Sequence, residues 1–139
     1  MARTEYPIVA GLFVACAVVQ VFLAGLGVFD NPSAFITHRE FGYTFGWLTL
    51  VLLIIALVGR MPRRFVGLAV LLLVLFALQS VFIALRADMP AVAALHPLNG
   101  FAILGVASYA TWTSWKVRSA SSATLEGAAM SAAGGAADA

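Results

Sequence analysis

Apolar residues along this chain fall into four long runs separated by short polar segments. The runs cover residues 8–29, 41–58, 65–85 and 95–115. Each run is close to the ~20 residues with which a helix crosses about 30 Å of hydrocarbon. Because lipid offers no hydrogen-bonding partner for an open backbone, such runs have to be helical. The pattern therefore predicts an all-α fold with four transmembrane helices.

The connecting segments carry turn-forming residues. Asp30-Asn31-Pro32 and Asp88-Met89-Pro90 combine turn signals with a proline suited to a first helical position, and residues 59–64 form a short basic loop. Connections this short make neighbouring helices antiparallel, so we expect an up-down bundle over residues 1–118. Residues 119–139 are mostly Ala, Ser and Gly. They cannot bury enough apolar surface to fold, which predicts a disordered cytoplasmic tail.

Basic residues are distributed unevenly between the two ends of the predicted bundle. One end would carry six of them and the other two, namely Arg3, Arg60, Arg63, Arg64, Lys116 and Arg118 against Arg39 and Arg86. Because cytoplasmic loops are enriched in Lys and Arg, we expect a multi-pass membrane protein with both termini cytoplasmic. Its first partner is then the lipid bilayer. The basic residues form no clustered face, which argues against nucleic-acid binding.

Composition supports a membrane protein independently of the runs. Hydrophobic residues make up 63% of the chain and charged residues 10%, whereas soluble domains carry about 25% charged residues.

One motif occurs twice. Asp-x-Pro-x5-His-x3-Gly-aromatic covers residues 30–43 and, with identical spacing, residues 88–101. The first helical hairpin would therefore be duplicated as the second hairpin. His38 and His96, the only histidines of the chain, occupy equivalent places on helices two and four. If these helices begin at Pro32 and Pro90, both histidines lie about 9 Å below the outer helix ends, and the two helices can face each other across the bundle.

Two facing histidines favour haem b as a cofactor. Haem iron accepts one imidazole on each face of the macrocycle, whereas two ligands are too few for a tetrahedral zinc site. The alternative is that each histidine only hydrogen-bonds between helices. No Ser or Cys nucleophile stands beside a base with an orienting acid, so we predict no catalytic residue and leave enzymatic activity open.

Three glycines lie near the histidines. Gly42 and Gly46 share the helix face of His38, and Gly100 lies one turn beyond His96. Their missing side chains would let a flat cofactor approach the backbone. Alternatively, they only permit close helix packing.

Polar residues around the histidines offer further contacts. Arg39 and Arg86 are placed to pair with haem carboxylates, or to snorkel to the interface. For the second ring nitrogen of each ligand we expect the carbonyl acceptor four residues back, at Ala34 or Val92. Pro97 either kinks the fourth helix or marks a later helix start.

Gln20 and Gln79 precede the two outer turns at similar distances. We expect them to hydrogen-bond between helices, with contact to the histidine site as the alternative.

The histidine motifs resemble one half of haem A synthase. That family has two four-helix halves, each with haem-type ligands on its second and fourth helices, and the matching residues here are His38-Arg39 with Gly42, and His96. Phe35 stands where the family has a glutamate, so the carboxylate tied to oxidation of a haem methyl group is missing. The same segments are similar to an uncharacterised family of small bacterial four-helix membrane proteins, which implies no activity.

The sequence leads to two functional hypotheses. The first is a small membrane protein like cytochrome b, with one bis-histidine haem near the outer leaflet, used for electron transfer or haem handling. The second is a cofactor-free accessory or scaffold protein of a larger membrane complex. A redox partner, a membrane complex and a homo-oligomer are all compatible with the sequence.

Overall fold

The computed structural model describes residues 2–137 as five α-helices without a β-strand. In chain order these are α1 (Ala2–Phe29), α2 (Ala34–Val58), α3 (Arg63–Ala84), the one-turn α4 (Pro90–Ala93) and α5 (Leu95–Ala137). Four spans are long and apolar enough to cross a membrane: Thr4–Phe29, Ala34–Val58, Arg63–Ala84 and Pro90–Ala120. The predicted all-α fold with four transmembrane helices is confirmed, and the protein is a multi-pass membrane protein.

The four long helices form an up-down bundle of two hairpins. α1 packs against α2 and α5, and α3 packs against the same two helices. Over residues 2–137 the backbones of α2 and α5 make no contact with each other, and neither do those of α1 and α3. The second and fourth spans are therefore diagonal partners, which places equivalent positions of the duplicated hairpins opposite each other.

Local signals at the connections explain the bounds of the helices. In the turn after α1, the Asn31 side chain accepts a hydrogen bond of 2.9 Å from the Ser33 amide, a local contact that favours a turn. Arg60 adopts a left-handed conformation with φ 47° in the loop between α2 and α3. Pro90 begins α4, and Pro97 is the third residue of α5, where an amide hydrogen has no helical partner to lose. Of the two alternatives for Pro97, the structure shows the later helix start.

A close-packed core fills only one half of the bundle, the half next to the basic loop between α2 and α3. Its buried apolar side chains are Tyr6, Ala10, Phe13, Ala17, Phe45, Leu52, Ala56, Met61, Phe65, Ala69, Leu72, Ile103, Ala107 and Ala110. The rings of Phe13 and Phe45 lie 5.2 Å apart and those of Phe45 and Phe76 5.3 Å apart, forming a layer across the middle of the bundle. Beyond this layer, toward the two histidines, Ala17 is the only buried apolar side chain among the residues whose burial the structure describes.

Aromatic and basic side chains lie together at the closely packed end. The Lys116 ammonium stands 3.8 Å from the ring centre of Trp112, and the Arg118 guanidinium 4.7 Å from that of Trp115. Both indole rings are exposed. Cation–π pairs of this kind suit a membrane interface, where one part of the indole is apolar and the other is hydrated.

The last helix extends beyond the fourth span, and the disordered tail expected for residues 119–139 stays a prediction. α5 continues through Ala137, well past the end of the fourth span at Ala120. The segment is rich in alanine, which has the highest intrinsic helix propensity. Residues 138 and 139 lie outside the described residues, and the division at residue 118 stays a prediction.

Candidate functional site

The two histidines meet across the diagonal of the bundle. His38 is the fifth residue of α2 and His96 the second residue of α5. Their ring centres are 6.2 Å apart and the ring planes are inclined by 63°. Although the two helices begin at different points of the duplicated motif, α4 supplies the missing turn, so both imidazoles reach the same depth.

Each imidazole is held by a neighbouring helix rather than by its own. His38 Nδ1 lies 3.0 Å from the carbonyl oxygen of Gln20, and His96 Nδ1 lies 3.3 Å from that of Gln79. The expected acceptors Ala34 and Val92 are therefore wrong, because the diagonal helices direct the rings sideways onto α1 and α3. With the proton on Nδ1, each ring donates to a backbone carbonyl. No partner for either Nε2 occurs within residues 2–137.

Gln20 holds His38 at a second point. Its side-chain Nε2 donates a hydrogen bond of 2.7 Å to the His38 carbonyl oxygen. A Cβ at Gly42 would stand 2.7 Å from that same Nε2, so this glycine makes room for the glutamine. The Gln20 Oε1 atom is buried and has no hydrogen-bond partner among the described residues.

In the second hairpin the glutamine side chain has a different hydrogen-bond partner. Asn99 Nδ2 donates to Gln79 Oε1 at 2.9 Å and to the Leu75 carbonyl at 2.8 Å. A Cβ at Gly100 would lie 3.4 Å from Gln79 Nε2. Here the side-chain hydrogen bonds tie α5 to α3 through Asn99, and His96 is held only through its ring.

A cavity of about 780 Å³ surrounds the two imidazoles, within the range of about 300–1,000 Å³ typical of cofactor pockets. Phe45 and Phe76 form its floor, and Arg39 and Arg86 line it without any acidic residue in the wall. Arg39 forms an exposed ion pair of 2.7 Å with Glu40. The cavity occupies the half of the bundle that lacks a packed core.

Six of the seven predicted site residues line this cavity: His38, His96, Gly42, Gly100, Arg39 and Arg86. Gly46 lies beside it, and a Cβ there would collide with the ring of Phe76. Gly46 therefore makes room for the Phe76 ring, and its role in cofactor binding stays a prediction.

Three contributors were not singled out from the sequence. They are the backbone carbonyls of Gln20 and Gln79, and the ring of Phe35, whose centre lies 6.4 Å from that of His38. The duplicated glutamine spacing was the available signal for the first two.

Histidine is the only metal-ligating side chain at the site. No group of three or more His, Cys, Asp or Glu residues that could hold a metal ion occurs in the described part of the chain. A bare metal ion would therefore lack ligands. An iron porphyrin brings four nitrogens of its own and needs only the two imidazoles.

Fold and site together define a multi-pass four-helix membrane protein with a largely apolar cavity, lined by two arginines, around paired histidines. Residues 20–86 are similar to a family described as a family of unknown function (DUF6220). The matched segment is slightly under half of the chain and includes His38 but not His96. No curated protein and no solved structure matches the chain.

Proposed function

We propose that the protein is a small membrane protein like cytochrome b that binds one haem b between His38 and His96, for electron transfer or haem handling. The observation that carries this proposal is the separation of 6.2 Å between the two imidazole centres. Two iron–nitrogen bonds of about 2.0 Å, with roughly 1.1 Å more from each nitrogen to its ring centre, place two axial imidazoles about 6 Å apart.

The hydrogen bonds of the rings support the same proposal. Each Nδ1 is used by a carbonyl, of Gln20 or of Gln79, which leaves Nε2 as the coordinating atom. Histidine ligands in metal sites commonly have this arrangement, since the second hydrogen bond fixes the ring orientation and makes the ligand more basic. If the histidines only formed interhelical hydrogen bonds, Nδ1 of each ring would have a partner and Nε2 would have none.

The cavity fits the remaining parts of haem b. Its largely apolar wall suits the macrocycle, and Arg39 and Arg86 line it. Arg86 makes no ion pair with an acidic residue in the described structure, whereas Arg39 is paired with Glu40 and would exchange that partner. Guanidinium groups pair well with carboxylates such as the haem propionates. Bound there, the iron would supply one-electron redox chemistry. The chain would contribute the ligands, their orientation and exclusion of water.

We also propose the bacterial plasma membrane as the location, with both termini cytoplasmic. The Tyr6 hydroxyl donates a hydrogen bond of 3.4 Å to the Phe65 carbonyl, which puts the start of α1 beside the basic loop. Lys116 and Arg118 lie at the same end of the bundle. This end is the one expected in the cytoplasm, and the histidines then lie in the outer half.

An absorption spectrum of protein purified from a haem-supplied host tests the cofactor. We expect a Soret band and, after reduction, a sharp alpha band of a six-coordinate low-spin haem. His38→Ala and His96→Ala should each remove that alpha band. Thr111→Ala is the matched control, because its hydroxyl only donates to the Ala107 carbonyl of its own helix. Wild-type protein without a Soret band would overturn the proposal and favour the cofactor-free scaffold protein.

A further inference from the structure

The two histidines are equivalent in the repeat but are held with different strength. His38 and Gln20 exchange two hydrogen bonds, one at the ring (3.0 Å) and one at the His38 carbonyl (2.7 Å). His96 has one such contact, of 3.3 Å. The hydrogen bond at the imidazole restricts rotation of the ring. The second hydrogen bond, at the backbone carbonyl of the same residue, restricts its translation.

The helices that carry the two rings also differ. α2 is continuous from Ala34, so His38 lies one full turn inside a helix. His96 lies in the first turn of α5, directly after the break at Ala94 that separates it from α4. None of the α4 residues is buried. First turns with few packed neighbours open more easily than helix interiors.

From this contrast we propose that Gln20 is a positioning residue that makes His38 the permanent axial ligand, and that His96 is the exchangeable one. The inference rests on the proposed haem and deepens it. The His96 side of the iron is then a binding position for a small neutral ligand such as carbon monoxide or free imidazole. In the exchange the bond from iron to His96 Nε2 breaks and a bond from iron to the incoming ligand forms, without any change in oxidation state.

Single-ligand variants decide which histidine is permanent. Reduced His96→Ala should retain haem and bind carbon monoxide, with a complete shift of its Soret band. Reduced His38→Ala should lose most of its haem during purification. The opposite order of haem retention would overturn the assignment while leaving haem binding itself intact. A missing Soret band in wild type would instead refute the proposed function.

Gln20→Met and Gln79→Met isolate the role of the glutamine. Methionine keeps the length of the side chain but removes its donor, and both variants keep the backbone carbonyl that the ring uses. Gln20→Met should weaken haem retention about three- to tenfold, the effect of one lost hydrogen bond. Gln79→Met should cause a smaller loss, since the Gln79 side chain bonds Asn99 and not His96.

Two measurements separate positioning from a general structural role. Absorption spectra of Gln20→Met should show a larger high-spin fraction of the haem iron than wild type. The variant should keep the size-exclusion profile of wild type. Thr111→Ala serves again as the control with an unchanged spectrum. Equal loss of haem in the two methionine variants, or a Gln20→Met protein with a purely low-spin spectrum, would contradict the role of Gln20.

Discussion

Replacing Gly42 by alanine tests the contact between Gln20 and His38 directly. The added Cβ would stand 2.7 Å from Gln20 Nε2, whereas non-bonded heavy atoms prefer about 3.5–4.0 Å. The glutamine must therefore move, and its hydrogen bond of 2.7 Å to the His38 carbonyl is lost. At Gly100 the Cβ would lie 3.4 Å from Gln79 Nε2, and at Gly105 it would meet nothing within 4 Å.

The expected free energies follow from two opposing effects. Alanine in place of glycine stabilises a helix interior by about 0.5–1 kcal/mol. Losing the hydrogen bond costs about 0.5–1.5 kcal/mol. Gly42→Ala should therefore be less stable than Gly105→Ala by about 0.5–1.5 kcal/mol, and Gly100→Ala should fall between the two. The control Gly105→Ala calibrates the helix effect within the same bundle.

Reversible unfolding in mixed detergent, followed by far-ultraviolet circular dichroism on haem-free protein, measures these differences. Haem titration of the same three variants then provides an independent readout. Affinity should fall in Gly42→Ala and stay at the wild-type value in Gly105→Ala. If Gly42→Ala and Gly105→Ala unfold with the same free energy and bind haem equally, the hydrogen bond between Gln20 and His38 contributes neither to stability nor to haem affinity.

Two further predictions concern the bundle. Single cysteines introduced at Ser33 and Pro62, in a Cys16→Ala background, should be labelled by an impermeant reagent from outside the cell only at position 33. Labelling at position 62 alone would show that the topology is the reverse of the proposed one. Leu52→Ala should lower the free energy of unfolding by about 2–5 kcal/mol because the side chain is fully buried. Ile83→Ala should lower it far less, because Ile83 lines the open cavity. Equal losses in the two variants would show that the half of the bundle around the cavity is packed as well.

Hydropathy predicted the number of spans but not all of their limits. The second run was expected from residue 41, yet α2 begins at Ala34. The additional residues include His38, Arg39 and Glu40, which lower the local hydropathy although they continue the helix. Of the candidate site residues, His38 and Arg39 thus lie in a stretch that the apolar window left out.

Hydropathy also could not show where the core is packed. Lipid-facing and buried positions of a membrane helix are both apolar, so hydropathy does not separate a packed face from an unpacked one. The distinction depends on how far neighbouring helices separate. That separation is set by large rings such as Phe45 and Phe76, which close the packed half and leave the space above them open.

The duplicated spacing identified the histidine pair, but not its hydrogen bonds. A rule based on one helix places the acceptor four residues back, whereas in this bundle a neighbouring helix provides it. The carbonyls of Gln20 and Gln79 are normally committed to their own helices, and a carbonyl can accept a second hydrogen bond because it has two lone pairs. A backbone carbonyl that accepts a second hydrogen bond cannot be recognised from the identity of its residue.

A difference between the two repeats explains why the two equivalent histidines have different hydrogen bonds. With the two histidines aligned, Asn99 corresponds to Phe41. Asn99 donates to Gln79 Oε1 and so draws that glutamine away from the histidine backbone. Phe41 has no donor, so the Gln20 amide turns to the His38 carbonyl, and its Oε1 stays buried without a partner in the described structure. The two imidazoles occupy equivalent places in the fold, and the difference between Phe41 and Asn99 decides that only His38 receives a second hydrogen bond from a glutamine.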